Sequence, residues 1–184
     1  CIPSKALLKN AEVAETLRHR GKEFGFKFDN LQLDYAAAVQ RSRQVSLRLT
    51  KGVDFLMRKN KIDVHSGTAA LTNKTTVEVT AKDGTKKALT TKHVILATGA
   101  TVALFGGIQP DGQKILTYRD AILQEKLPAS VIIIGGGAIG CEFATIWNAY
   151  GAKVTLVEML PSLLPREDAE VSAELGKHFT KAGI

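Results

Sequence analysis

The stretch from Val131 to Glu158 constrains this chain more than any other. It reads Val131-Ile-Ile-Ile134, then Gly135-Gly136-Gly137-Ala138-Ile139-Gly140, then an apolar-periodic segment, then Val154-Thr-Leu-Val-Glu158. Consecutive β-branched residues from Val131 to Ile134 suit a parallel strand buried on both faces. Ile139, Phe143, Ile146, Trp147 and Tyr150 recur at helical spacing, and Gly151 stands where a left-handed helix cap is wanted. Strand, glycine turn, helix and strand in that order make a βαβ unit.

The glycines follow the G-x-G-x-x-G spacing of dinucleotide-binding turns. Gly135 allows the sharp turn, Gly137 lets a diphosphate approach the backbone, and Gly140 lets the helix lie close on the strand. The helix start then offers unpaired N–H groups to the phosphates. Glu158, close to the distance of about 20 residues at which the pattern places its acid, can accept from the ribose hydroxyls. A 2′-phosphate would be repelled by that carboxylate, and Met159 and Leu160 bring no arginine to replace it. NAD is therefore expected over NADP. The bland alternative is a βαβ unit that binds no nucleotide.

The chain has 184 residues, enough to bury a core, and a formal net charge of +7. Its lysines and arginines are dispersed with few aromatics among them, which fits a solvated surface rather than a nucleic-acid face. No apolar run is long enough to span a bilayer and no signal peptide is visible, so no membrane partner is expected. The two cysteines, Cys1 and Cys141, make no disulfide scaffold, and a reducing, cytoplasmic setting (the mitochondrial matrix in a eukaryote) is expected. The four histidines are isolated in sequence and CxxC and HExxH are absent, so no metal site is expected. No GxSxG serine nucleophile is present either.

Taken in order, Cys1-Ile-Pro3-Ser-Lys5 opens a helix reaching about Arg20, with proline in the first turn. Cys1 thus lies at a helix start with Lys5 one turn on, and both favour a thiolate. By spacing alone an inert thiol remains equally open. A first residue other than methionine suggests a fragment boundary. Cys141, in the first turns of the dinucleotide helix, is expected to be a small buried thiol. Phe24, Phe26 and Phe28 alternate in a loop and read as packing residues. Leu33 to about Asn60 is a long helical pattern with Ala38, Val45, Leu49, Val53, Leu56 and Met57 on its apolar positions. Three strands follow, over residues 62–69, 76–80 and 86–91, the last two joined by Asp83-Gly84. His93 to Gly99 reads as a buried strand ending at a glycine. A short helix from about Arg119 to Glu125 ends before Pro128, and a last helix begins at Glu167 and Asp168 and is capped by Gly183.

Three marks occur here in one order and spacing: Cys1-Ile-Pro-Ser-Lys5-Ala-Leu-Leu, Ala97-Thr98-Gly99, and the glycine turn continuing into Cys141-Glu142 with Glu158 downstream. In these the chain resembles the FAD-dependent pyridine nucleotide–disulfide oxidoreductases, most closely the branch that oxidises dihydrolipoamide. The resemblance covers the whole chain. It implies an α/β fold of doubly wound parallel-sheet nucleotide-binding domains. Residues 1–127 would be a partial FAD-binding domain with a redox-cysteine helix and a β-meander, and residues 128–184 the first βαβα of an NAD-binding domain.

The same resemblance implies the site. Cys1 matches the second cysteine of the family's C-x4-C disulfide, the one lying against the flavin, and the first would precede residue 1. Lys5 would lie near the flavin and pair with Glu142. Gly67, Ala69, Thr98 and Gly99 would touch FAD. Gly135, Gly136, Gly137, Ala138, Ile139, Gly140, Cys141 and Glu142, with Glu158, would hold NAD. The implied partner is dihydrolipoamide on a lipoyl-bearing acyltransferase, and the implied assembly a homodimer. Ala100-Thr-Val-Ala stands where family members often carry Ser-x-Pro, and Tyr118-Arg119 where small hydroxylated residues are common. A mercuric or glutathione reductase of the same family, or a fragment acting only as a nucleotide-binding module, are the alternatives.

Overall fold

The structure is a computed structural model and describes residues 1–104 and 106–184. Its elements are α1 (Ile2–Glu15) with a π-helical extension (Thr16–Arg20), α2 (Tyr35–Lys59), β1 (Thr68–Asn73), β2 (Thr76–Thr80), β3 (Lys86–Thr90), α3 (Tyr118–Ala121), β4 (Ser130–Ile134), α4 (Ala138–Ala149), β5 (Lys153–Val157) and α5 (Ala169–Lys181). They form two compact units, one of Cys1–Arg48 with Leu104–Ile184, the other of Leu49–Ala103.

In the first unit β4 and β5 pair in parallel, Ser130 opposite Lys153 through Ile134 opposite Val157, with α4 as the crossover. The core gathers Leu7 from α1, Tyr35, Ala38 and Val39 from α2, Phe143, Ala144, Ile146 and Trp147 from α4, Val154 from β5 and Phe179 from α5. Small residues at Ala6, Ala11 and Ala14 are buried along α1, which packs on α4. Trp147 Nε1 donates to the Tyr35 hydroxyl at 2.9 Å inside this core, tying α4 to α2. Tyr35 also meets Tyr150 edge-on, ring centroids 5.2 Å apart. Burial is the main influence raising the Tyr35 phenol above its ordinary pKa. Asp168 caps α5 by accepting from the Glu170 and Val171 N–H groups, while His178 and Lys181 lie in its last turn.

The second unit is an antiparallel meander, β1-β2-β3. Asp83 Oδ1 accepts from the Thr85 N–H at 2.9 Å and Gly84 takes φ of 84°, which closes the hairpin between β2 and β3. That backbone bond is also the main reason the Asp83 carboxyl sits below its ordinary range.

Several sequence expectations are corrected. The first meander strand is Thr68–Asn73 rather than 62–69, because the register that pairs with β2 begins at Thr68 opposite Thr80. Residues 93–99 form no strand, and Ile95 and Leu96 are 90% and 71% exposed. A strand exists only beside a partner, and no described strand pairs with this segment. β4 is half-buried on one face only, through Val131 and Ile133, while Ile132 and Ile134 are exposed, since α4 covers one side of a two-stranded sheet. Phe24, Phe26 and Phe28 are all exposed, with Arg20 lying over the Phe24 ring. Leu49, Val53, Leu56 and Ile139 are likewise exposed. The short helix stops at Ala121, set at its start by reciprocal bonds between Thr117 and Asp120.

Tyr35→Phe should lower stability by about 1–3 kcal/mol, the cost of leaving the buried Trp147 N–H unpaired. Urea unfolding followed through Trp147 fluorescence measures it, and an unchanged midpoint would remove this bond from the core's account.

Candidate functional site

Past Ile134 the chain turns from β4 into α4 within a few residues. The Gly135 N–H donates to the Val157 carbonyl at 2.8 Å, carrying the parallel ladder one step beyond the strand. Gly135 takes φ of 107°, a conformation that disfavours any side chain. A Cβ on Gly140 would sit 2.0 Å from the Gly135 carbonyl oxygen, so α4 can lie this close to β4 only with glycine there. A Cβ on Gly137 would meet nothing within 4 Å. Gly137 is the N-cap of α4, and no side chain accepts from the helix's first turn. Gly137, Ala138 and Ile139 are all exposed. An open space before an uncapped helix start is what a diphosphate requires.

The Gly136 peptide is gripped from three sides. Its N–H donates to Glu158 Oε2 at 2.7 Å. Its carbonyl accepts from the Leu164 N–H at 2.8 Å and from the Cys141 thiol at 3.4 Å. The other Glu158 oxygen accepts from the Leu160 N–H at 2.9 Å. The Leu160 and Gly136 N–H groups, in that order, hold the Glu158 carboxyl below its ordinary range. Burial, then the charges of Glu158 and Glu142, push the Cys141 thiol up. Cys141 is therefore a protonated donor that supports the turn, and it is buried. The contacts of Leu160 and Leu164 carry no motif in the sequence; the only local hint is the pair Pro161 and Pro165 around Leu164, whose φ is 47°.

Cys1 is exposed and occupies the N-cap position of α1, with Pro3 in the first turn. Lys5 Nζ donates to Glu142 Oε1, joining α1 to the second turn of α4. The lysine that the sequence sets beside Cys1 thus shares its charge with a carboxylate, leaving the helix start as the nearer influence on the sulfur.

The first unit thereby holds Cys1, Lys5, the whole glycine turn, Cys141, Glu142 and Glu158. Gly67, Ala69, Thr98 and Gly99 belong to the second. There Gly67 has a structural reason of its own, since a Cβ would lie 2.4 Å from the Thr80 carbonyl oxygen. Ala69 pairs with Val79 in the meander. Thr98 and Gly99 are exposed and outside any strand, Gly99 with φ of 83°. Among the described residues no group of three or more His, Cys, Asp or Glu side chains could hold a metal ion, and no helix is long and apolar enough to cross a membrane.

Because its carboxyl is held low in the fold, Glu158 stabilises the turn above its ordinary pKa of 4.5, and this contribution is lost as pH falls through the lower folded value. Hydrogen-exchange protection of the Gly136 amide, corrected for intrinsic exchange, should fall on acidification below that ordinary value. Glu158→Gln should flatten the profile; a wild-type profile already flat would show that the carboxylate does not hold the turn.

The chain is similar to known proteins in sequence and in fold. Residues 1–184 match the family described as pyridine nucleotide-disulphide oxidoreductase. A dihydrolipoyl dehydrogenase of Chlorobaculum parvum is 48% identical over 184 residues, covering all of this chain and 39% of that protein. One from Rhizobium etli is 42% identical over 201 residues, covering 100% of this chain and 41% of its own length. The crystal structure of LpdA from Mycobacterium tuberculosis superposes with a TM-score of 0.87 at 27% identity, over the whole chain and 40% of LpdA. The flavoprotein disulfide reductase RclA of Escherichia coli does so with a TM-score of 0.75 at 26% identity, over the whole chain and 38% of RclA. The chain thus spans about two-fifths of the length of these relatives. With a family match from its first residue to its last, the chain belongs to the pyridine nucleotide-disulphide oxidoreductases, flavoenzymes that work with FAD and a pyridine nucleotide.

Proposed function

We propose that this chain is part of an NAD-linked dihydrolipoyl dehydrogenase, the flavoprotein that reoxidises dihydrolipoamide carried on the acyltransferase of a 2-oxo-acid dehydrogenase complex. The observation that carries the reading is the Lys5–Glu142 ion pair, because it couples the helix bearing Cys1 to the helix bearing the nucleotide turn. The 48% identity to a dihydrolipoyl dehydrogenase supports this branch over other disulfide reductases. In this reading a homodimer in a reducing, cytoplasmic compartment is the working form. Residues 1–127 serve the flavin side and residues 128–184 the nicotinamide side.

Each residue's part follows from its chemistry. Cys1 is one half of a redox disulfide that dihydrolipoamide opens by thiol–disulfide exchange, a thiolate attacking sulfur and a thiolate leaving. Bound FAD and NAD supply the two-electron chemistry beyond that point. Lys5 presents its ammonium on the flavin side and is held there by Glu142. Gly67, Ala69, Thr98 and Gly99 offer backbone to FAD. The open space at Gly137 and the uncapped first turn, from Ala138 through Ile139 to Gly140, receive the diphosphate of NAD. Glu158 accepts from the adenosine ribose. Each of its oxygens already takes one backbone N–H, and a carboxylate with about four acceptor sites keeps one free on each.

The full-length protein should oxidise dihydrolipoamide with NAD⁺. Turnover of glutathione disulfide or Hg(II) instead, with none of dihydrolipoamide, would reject the substrate assignment. In the same assay Glu158→Arg should weaken NADH and shift preference toward NADPH by about tenfold or more, since each 1.4 kcal/mol of lost or gained contact is tenfold. An unaltered cofactor preference would mean that the ribose lies elsewhere.

A further inference from the structure

We propose that Arg18 is a positioning residue that sets where Cys1 and Lys5 lie along α4, an inference that rests on the disulfide-oxidoreductase reading above. α1 and α4 run in the same sense, and polar contacts join them near both ends; Asn10 of α1 also lies against the Tyr150 hydroxyl at the C-cap of α4. Near their starts Lys5 donates to Glu142. Near their ends Arg18 Nη1 donates to the Ala149 carbonyl at 2.9 Å, a partly buried bond. Between these points α1 buries Ala6, Leu7, Ala11 and Ala14. The alanines let the helices approach closely, and Leu7 is the one large side chain among the residues that α1 buries. The polar contacts at the two ends add to this packing in fixing the register.

The rear point is built by an irregularity. α1 passes into a π-helical turn over Thr16–Arg20, a rare form that re-aims the side chains it carries. Its neighbours are paired locally, His19 with Glu15 and Arg20 with Glu23. Arg18 instead reaches across to α4, and its guanidinium complements the Ala149 carbonyl and the negative pole of that helix's C-terminus. The front point is exposed to water, Lys5 at 64%, and is screened accordingly. Loss of the rear bond lets α1 shift along α4, and the displacement is felt at the first turn, where the sulfur lies.

The test uses the full-length flavoprotein carrying Arg18→Met, Arg18→Lys or Asn148→Ala. Asn148 lies in the same region, but its amide donates to the Ala182 carbonyl rather than to α1. Arg18→Met should lower kcat for dihydrolipoamide oxidation about tenfold, the scale of a small misplacement of reacting groups. The KM for NAD⁺ should stay unchanged, and iodoacetamide should alkylate the Cys1 thiol of the reduced enzyme faster than in wild type. Arg18→Lys should reverse most of both changes, and Asn148→Ala should match wild type. Wild-type kcat and alkylation in Arg18→Met would overturn the proposal, as would an equal loss in Asn148→Ala or no recovery in Arg18→Lys. If Arg18→Met yields no holoenzyme, Arg18→Gln decides alone: lowered kcat with unchanged KM and faster alkylation sustains the proposal, and wild-type values overturn it. Absence of dihydrolipoamide turnover in the wild-type enzyme would reject the proposed function, while the alkylation comparison, which needs no turnover, would still judge Arg18.

Discussion

The contact between Gly140 and the Gly135 carbonyl decides the placement of everything near the site. With no side chain at Gly140, α4 begins hard against the end of β4, where a Cβ would lie 2.0 Å from that oxygen. From this start the rest follows by helical geometry. Cys141 points its thiol to the Gly136 carbonyl, Glu142 meets Lys5 one residue further on, and Phe143, Ile146 and Trp147 enter the core. A helix displaced by even one methyl group would move all of these together, because they share one rigid element.

The glycine turn is also held from the second strand. Glu158 occupies the first position beyond β5 and accepts from Gly136, while the loop that follows returns Leu164 to the same peptide. The carboxylate thus has two parts to play, one in the fold and one proposed toward the ribose. A charged side chain used this way is stabilised by backbone N–H groups rather than by a counter-ion.

The candidate site was legible in sequence wherever local chemistry sufficed. The glycine spacing requires close backbone approach, Pro3 allows a helix start behind Cys1, and apolar periodicity places α4 within a residue of its observed span. What escaped was the non-local part. The Leu164 amide that completes the turn, and the guanidinium of Arg18 on the end of α4, depend on segments far apart in the chain. Burial depends on the same non-local packing. Ile132, Ile134, Ile95 and the three phenylalanines are apolar by composition, but burial is a property of what lies opposite them.

The sequence by itself determined the βαβ unit, its glycine turn, the acid at the end of the second strand and the sulfur at a helix start, since each depends on backbone conformation within a few residues. Only the tertiary structure decided that α1 lies along α4 and that the Gly136 peptide is held from three sides, while the Lys5–Glu142 pair, which no spacing gives, was implied by the family resemblance and is present. Those arrangements come from packing small side chains between helices and satisfying buried backbone groups, and neither demand is visible until the chain has brought distant residues together.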